Sequence, residues 1–131
     1  LAFTEKGELA IVGQWRYALG RYPHEIVRGG SAEGETDMLR AARRELREET
    51  GFDAMRWEEL GSVDVCNGVT TDVQHLFVAN DLRFVGVEQD PMEEIVTAWY
   101  PFEEAVEMAM SGEITEVCSV AAILNYNRQR R

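Results

Sequence analysis

The segment at about residues 37–50 constrains the fold more than any other part of the sequence, because it predicts a helix with one apolar face and one acidic face. Its apolar side chains recur at helical spacings of three and four, at Leu39, Ala42 and Leu46. Gly51 follows at the position where a left-handed glycine commonly ends a helix. The periodicity and the stop signal therefore both favour a helix here.

Three acids, Glu45, Glu48 and Glu49, share a separate sector of this helix. Side chains three and four positions apart have Cβ atoms about 5–6 Å apart, so these carboxylates repel one another by a few tenths of a kcal/mol per pair. Arg44 can pair with Glu48 at a spacing of four, which leaves a solvated, salt-bridged face as one interpretation. The other interpretation is a site for a divalent ion, since Mg²⁺ prefers oxygen ligands.

The loop before the helix favours the metal interpretation. Residues 25–35, EIVRGGSAEGE, contain three glycines, Gly29, Gly30 and Gly34. Glycine lets the backbone turn tightly and approach a ligand, and the carbonyl groups of such a loop can serve as further metal ligands. A strand, a glycine loop and an acidic helix therefore follow one another in a unit suited to binding an ion.

Strand-like and helix-like segments alternate along the rest of the chain. Short apolar runs predict strands at residues 8–14, 24–28, 57–65, 72–79 and 95–100. Pro101 and Gly112 bracket a second predicted helix, and apolar spacing predicts a third at about residues 116–128. No linker or repeat interrupts the 131 residues, so we expect a single α/β domain over residues 1–131.

Composition and charge narrow the class of function. Thirteen Lys and Arg against 24 Asp and Glu give a net charge of −11, which speaks against binding nucleic acid through its phosphates. Cys66 and Cys118 lie far apart, so we expect neither a disulfide framework nor a zinc site, and a reducing, cytoplasmic setting. No apolar run approaches the roughly 18 residues that span a bilayer, so no membrane association is expected. The start at Leu1 rather than at Met leaves room for a missing amino-terminal segment.

Two segments together resemble the signature box of the Nudix hydrolases. Residues 44–52, RELREETGF, fit its second half at every fixed position, and residues 29–35, GGSAEGE, fit its first half. Eight residues rather than seven separate Glu35 from Arg44. We expect the extra residue near Thr36 and Asp37, where the loop meets the helix, so that the helix register stays intact.

Further segments resemble the ADP-ribose pyrophosphatase branch of that family, in the same order along the chain. They are residues 14–17 (QWRY) followed by Glu25, residues 77–82 (FVANDL), residues 93–95 (EEI) and residues 111–115 (SGEIT). The resemblance implies a Nudix-type α/β/α sandwich around a mixed β-sheet. It also implies cleavage of the diphosphate of a nucleoside diphosphate linked to another moiety, with ADP-ribose or a related nucleotide sugar as substrate and a homodimer as the assembly.

The resemblance assigns roles to individual side chains. The implied ligands of Mg²⁺ or Mn²⁺ are Glu45, Glu48, Glu49 and Gly29. Arg44 would orient Glu48, and Glu93, or else Glu94, would act as general base within hydrogen-bonding reach of the attacking water. The two loop acids are equally well read as ordinary solvated side chains.

The implied substrate-binding residues are Trp15, Arg16 and Arg28. An arginine beside an aromatic ring can hold a phosphate or ribose while the ring stacks on a base, but Trp15 as a core residue and Arg16 as a surface residue fit the sequence as well. Arg28, next to Gly29, can face a phosphate or the solvent.

Two alternatives to this function stay open. Asn67 stands where the ADP-ribose branch usually carries a proline, so dinucleoside polyphosphates and coenzyme A remain possible substrates. A Nudix-fold domain that binds a nucleotide and regulates a partner without turnover is the other alternative. Three repelling acids argue against that domain, because a protein without catalysis has no evident need to keep them together.

Overall fold

The computed structural model describes residues 1–87, 92 and 94–131, which form five strands and three helices. The strands are β1 (Glu8–Gln14), β2 (His24–Glu25), β3 (Phe52–Asp64), β4 (Val73–Phe84) and β5 (Ile95–Pro101). The helices are α1 (Met38–Thr50), α2 (Phe102–Ser111) and α3 (Val117–Gln129). All eight correspond to segments predicted from the sequence.

The bounds of three strands differ from the prediction by more than one residue. β2 ends at Glu25 rather than at residue 28, because the next amide, that of Ile26, donates to a side chain instead of a strand. β3 begins at Phe52 rather than at Trp57, directly after the left-handed Gly51. β4 continues to Phe84, since it pairs with the early start of β3 through Phe52 and Phe84.

The strands form two antiparallel sheets. β1 lies between β2 and β5 in one sheet, and β3 pairs with β4 in the other. Residues 1–3 join the two sheets. The Ala10 N–H of β1 donates to the Ala2 carbonyl, and the Phe3 N–H donates to the Ala79 carbonyl of β4, both at 2.9 Å. The bridge between Ala2 and Ala79 is parallel, so both pairing directions occur.

Alternate residues of β1 face two different helical layers. Leu9 and Ile11 are buried in a cluster with apolar side chains of α2 and α3. Ala10, between them, is buried in a second cluster with Leu46 of α1. The sheets therefore lie between α1 on one side and α2 with α3 on the other, which confirms the expected α/β class and its three layers.

Specific bonds fix both ends of α1. The Asp37 carboxylate caps the amino end by accepting from the Arg40 N–H at 3.1 Å, and Gly51 ends the helix at a φ of 77°. Arg43 and Arg47 both hydrogen-bond the buried Asp53 at the start of β3. α1 runs without interruption from Met38 to Thr50, and Thr36 and Asp37, where the extra residue is expected, lie before it.

None of the helices in the described part of the chain has the length and apolarity that crossing a membrane requires.

Candidate active site

The glycine loop lies against the acidic face of α1. A Cβ atom added to Gly29 would lie 2.0 Å from Cδ of Glu45 and 2.3 Å from each of its carboxylate oxygens. Any side chain at position 29 would therefore displace the Glu45 carboxylate. Glycine is required here by this close approach, and the sequence-based interpretation of the loop is consistent with it.

Glu49 is the most buried of the three acids on this face, with 8% of its surface exposed. The pKa of Glu49 is raised from 4.5 to about 8, mainly by burial and then by the charge of the neighbouring Glu45, although a hydrogen bond from the Arg28 backbone N–H and the charge of Arg16 oppose the shift. The Thr97 hydroxyl of β5 donates to the Glu49 carbonyl at 3.3 Å. The fold thus holds a carboxylate where its negative charge is disfavoured unless a cation lies nearby.

The Arg44 guanidinium connects the loop to the helix. Its Nη1 lies 2.8 Å from Glu45 Oε1 and 3.4 Å from Glu48 Oε2. Its Nη2 donates to the Gly30 carbonyl at 2.8 Å and lies 3.5 Å from Glu35 Oε2. Glu35 therefore reaches the site in spite of the extra loop residue. The predicted pairing of Arg44 with Glu48 is present, as part of a wider set of contacts.

Arg44 also explains why the acids do not converge on a common point. Among residues 1–87, 92 and 94–131, no three His, Cys, Asp or Glu side chains are arranged to hold a metal ion as they stand. The carboxylates of Glu35, Glu45 and Glu48 instead point at the guanidinium. The donors are nevertheless all oxygens, on a rigid helix beside a glycine backbone. This donor set and the raised pKa of Glu49 fit a hard divalent cation such as Mg²⁺ or Mn²⁺.

A buried carboxylate holds both candidate substrate-binding arginines. Glu25, 3% exposed, accepts from Arg16 through both oxygens, at 3.0 and 2.7 Å, and its Oε2 also accepts from Arg28 Nε at 3.0 Å. Arg28 Nε lies 3.7 Å from Glu116 Oε2 as well. Sequence reasoning gave no role to Glu25, although it stands directly before the apolar Ile26 and Val27 and shortly before the glycine loop, where a lone acid is a signal for a buried partner.

Trp15 lies at the edge of this network. Its ring is 39% exposed and packs edge-on against Tyr22, with the ring centroids 5.2 Å apart, and against Tyr17 at 6.3 Å. The aromatic cluster of Trp15, Tyr17 and Tyr22 is on the surface, so the interpretation of Trp15 as a core residue is not supported.

The two candidate bases differ in what can be said of them. Glu93 lies outside the described residues. Glu94 is exposed and lines a surface cavity of about 360 Å³ with Gly13, His24 and Val96. That cavity shares no lining residue with a second cavity, which Glu45 lines. The role of Glu94 as base stays a prediction.

A larger cavity, of about 410 Å³, opens beside the glycine loop. Its lining includes Gly29, Gly30, Glu45, Trp57 and Phe77. Cavities of this size commonly accept small organic ligands. Glu45, on the acidic face of α1, therefore adjoins a cavity large enough for a small organic ligand.

Comparison with known proteins agrees with this geometry. Residues 1–118 match the family model described as the NUDIX domain. An ADP-ribose pyrophosphatase of Mycobacterium tuberculosis is 34% identical over 127 residues, which cover 95% of this chain and 61% of that protein. An ADP-ribose pyrophosphatase of Bacillus subtilis and a methanol dehydrogenase activator of Bacillus methanolicus are each 28% identical, over 94% of this chain and 67% of theirs. This chain thus spans about three fifths to two thirds of the length of these relatives.

A crystal structure described as an ADP compounds hydrolase superposes with a TM-score of 0.86 at 21% identity. The match covers 98% of this chain and 69% of the other. It confirms the expected α/β/α sandwich.

Proposed function

The chain belongs to the NUDIX domain family, and from this premise we propose that it is a metal-dependent hydrolase of diphosphate bonds. Its substrate in this proposal is a nucleoside diphosphate linked to another moiety, with ADP-ribose or a related nucleotide sugar as the first candidate. The names of two relatives, both ADP-ribose pyrophosphatases, support that choice.

The observation that carries the proposal is the contact between the glycine loop and two acids one helical turn apart. The Arg28 N–H hydrogen-bonds the Glu49 carboxylate, and the Gly29 backbone lies against Glu45. A solvated, salt-bridged helix face needs no such backbone contacts, because exposed side chains can pair with one another in water without support from a loop. The loop instead positions the two carboxylates relative to each other.

Glu45, Glu48 and Glu49, together with the Gly29 carbonyl, would hold a Mg²⁺ or Mn²⁺ ion. When bound, such an ion offsets the charge of a diphosphate and makes water a better nucleophile. Arg44 keeps Glu45 and Glu48 oriented through its contacts with both. In the same proposal Glu93, with Glu94 as second choice, takes a proton from the attacking water.

Recognition of the substrate is assigned to the other side of the loop. Arg16 and Arg28 are held by Glu25 in fixed positions next to the acids, and a fixed guanidinium binds phosphate at a lower cost in side-chain entropy. Trp15 offers an exposed ring on which a base can stack.

Release of AMP and ribose 5-phosphate from ADP-ribose, with and without Mg²⁺, tests the proposal. We expect release that requires the metal and falls by at least 100-fold in Glu45→Gln and in Glu49→Gln. Glu107→Gln, an exposed glutamate of α2, is the matched control and should retain wild-type activity. Release that is independent of the metal and of Glu49 would contradict the proposal.

A panel of other diphosphate sugars, dinucleoside polyphosphates and coenzyme A then defines the substrate, because Asn67 departs from the ADP-ribose branch. Tight binding of a nucleotide with no turnover of any compound on the panel would favour the regulatory domain instead.

The proposed assembly is a homodimer in the cytoplasm. Tyr17 and Tyr22, beside Trp15, are exposed aromatic side chains of the kind that subunit interfaces bury, and Cys66 and Cys118 are not paired in a disulfide. Light scattering coupled to size-exclusion chromatography measures the mass, and a monomer of 14.9 kDa would contradict the dimer.

A further inference from the structure

We propose that Ser119, in the first turn of α3, is a positioning residue that sets the affinity of the acidic site for its divalent ion. It acts through the loop that contains Arg28 and Gly29. The inference rests on the proposed function, because it assumes that Glu45 and Glu49 bind a metal.

The argument begins with the shortness of β2. Its pairing with β1 ends at Glu25, which lies opposite Val12. The residues that follow Glu25 are therefore not held by hydrogen bonds of the β1–β2 pair. The next amide, that of Ile26, is buried and donates to Ser119 Oγ at 3.0 Å. The Ser119 hydroxyl of α3 therefore accepts the hydrogen bond that a backbone carbonyl of a neighbouring strand would accept in a longer sheet.

The Ser119 hydroxyl is itself fixed. Its side chain is fully buried, and its Oγ donates to Glu116 Oε2 at 2.7 Å. Glu116 is held in turn because it caps α3, accepting from the N–H groups of Cys118 and Ser119 at 3.0 and 2.8 Å. The acceptor that faces Ile26 thus has one position, set by the start of the helix.

The same short segment delivers the contacts of the active site. Two residues after Ile26, the Arg28 side chain lies between the carboxylates of Glu25 and Glu116, at 3.0 and 3.7 Å. The Arg28 N–H reaches Glu49, and Gly29 packs under Glu45. A shift of the segment away from α3 would therefore move both contacts at once.

Removing the Ser119 hydroxyl leaves the buried Ile26 N–H without its acceptor, so the segment must move to find another. The fold around the loop keeps its apolar core, since Ser119 contributes no hydrocarbon beyond its Cβ. We expect the affinity for the metal to fall by about 10-fold to 100-fold, as it does in other proteins when a residue that orients a metal ligand is replaced. The overall structure should change little.

Titration of the whole chain with Mn²⁺, followed by electron paramagnetic resonance of the free ion, tests the inference without relying on activity. We expect Ser119→Ala to bind Mn²⁺ at least about 10-fold more weakly than the wild type. Ser119→Thr keeps a hydroxyl and should recover binding to within about threefold. Turnover of Ser119→Ala at saturating Mn²⁺ should return to within about threefold of the wild type, because positioning affects ion binding first.

Ile123→Val is the matched control, since Ile123 is also fully buried on α3, in the main apolar cluster, but its side chain offers the Ile26 amide no hydrogen-bond acceptor. It should change the Mn²⁺ dissociation constant by less than twofold. The inference is overturned if Ser119→Ala binds Mn²⁺ within twofold of the wild type, if Ile123→Val weakens binding as much, or if Ser119→Thr binds no better than Ser119→Ala.

Amide hydrogen exchange of the metal-free wild type gives a second test, which needs no variant to fold. The Ile26 and Arg28 amides should exchange slowly, and exchange at the rate of an unstructured peptide would overturn the inference. Failure of the proposed function is a separate outcome, because in that case the wild type itself would bind no Mn²⁺ and Glu49→Gln would change nothing.

Discussion

Gly29 lies directly under the carboxylate of Glu45, so that a Cβ atom at position 29 would stand 2.0 Å from Cδ of that glutamate. No comparable contact exists at Gly30, where an added Cβ would meet no atom within 4 Å. Position 29 therefore requires glycine for steric reasons, whereas position 30 does not. Substitutions at the two positions can thus distinguish the effect of the contact with Glu45 from the effect of loop flexibility.

Gly29→Ala should lower Mn²⁺ affinity and kcat by about 10-fold to 100-fold, because the new methyl group pushes the Glu45 carboxylate out of place. The free energy of unfolding should change by less than about 1 kcal/mol, since the displaced group is the end of a flexible, partly exposed side chain. Isothermal titration calorimetry, steady-state kinetics and urea denaturation measure the three quantities.

Gly30→Ala is the control for that experiment and should behave as the wild type in all three measurements. Equal losses in the two variants would show that loop flexibility, rather than the contact with Glu45, is what the site needs.

The acidic site was predictable from the sequence to the extent that it depends on helix periodicity. The spacing of Glu45, Glu48 and Glu49 and the stop at Gly51 fix one face of α1, whatever packs against it. The start of α1 at Met38, directly after its cap Asp37, agrees with the helix start predicted at about residue 37.

The support of the site could not be predicted in the same way, because it depends on contacts between distant parts of the chain. Ile26 and Ser119 are 93 positions apart, and no local pattern marks a buried serine as the acceptor for a loop amide. The bidentate pairing of Arg16 with Glu25 depends on how the chain returns to β1, and no local pattern identifies either residue as the partner of the other. The early start of β3 was missed because residues 52–56 are mixed in polarity, and Asp53 is buried only through its bonds to α1.

The raised pKa of Glu49 predicts that the metal-free protein loses stability as the pH rises. The folded protein binds this proton more tightly than the unfolded chain, because the pKa is raised from 4.5 to about 8. The free energy of unfolding should therefore fall between about pH 4.5 and about pH 8, by an amount on the order of a few kcal/mol. Urea denaturation in the presence of EDTA at several pH values in this window measures the slope.

Glu49→Gln removes the charge that burial disfavours, so its stability should vary less with pH in the same window and should exceed that of the wild type at pH 8. Its Mn²⁺ affinity should be lost at the same time, which is the expected exchange of stability for function. If the wild type and Glu49→Gln have parallel pH profiles, the Glu49 carboxyl is not held in the way that the structure indicates.

Asp53 should contribute stability with the opposite pH dependence. Burial raises its pKa, but hydrogen bonds from Arg47, Arg43 and the Ala54 N–H outweigh that effect and lower the pKa from 3.8 to about 2. The contribution, about 2 kcal/mol, should be fully present above about pH 4 and lost as the pH falls toward 2. Asp53→Asn should thus lower the free energy of unfolding at pH 7 by about 2 kcal/mol and have little effect at pH 2.

The kcat of folded Asp53→Asn should match that of the wild type, because Asp53 anchors the side of α1 away from the three acids. A loss of stability that is equal at pH 2 and pH 7 would show that the asparagine disturbs packing instead of removing an ion pair.

Arg44→Lys should impair catalysis while leaving the fold nearly as stable. The guanidinium contacts Gly30 and Glu35 with one nitrogen, and Glu45 and Glu48 with another, and a single ammonium group cannot reproduce this fork. We expect kcat to fall by about 10-fold to 100-fold, with a change in the free energy of unfolding below about 1 kcal/mol because the side chain is partly exposed. Arg40→Lys, at an exposed position of the same helix, is the matched control. Wild-type kcat in Arg44→Lys would show that a positive charge at this position is sufficient and that its connection to the loop has no part in catalysis.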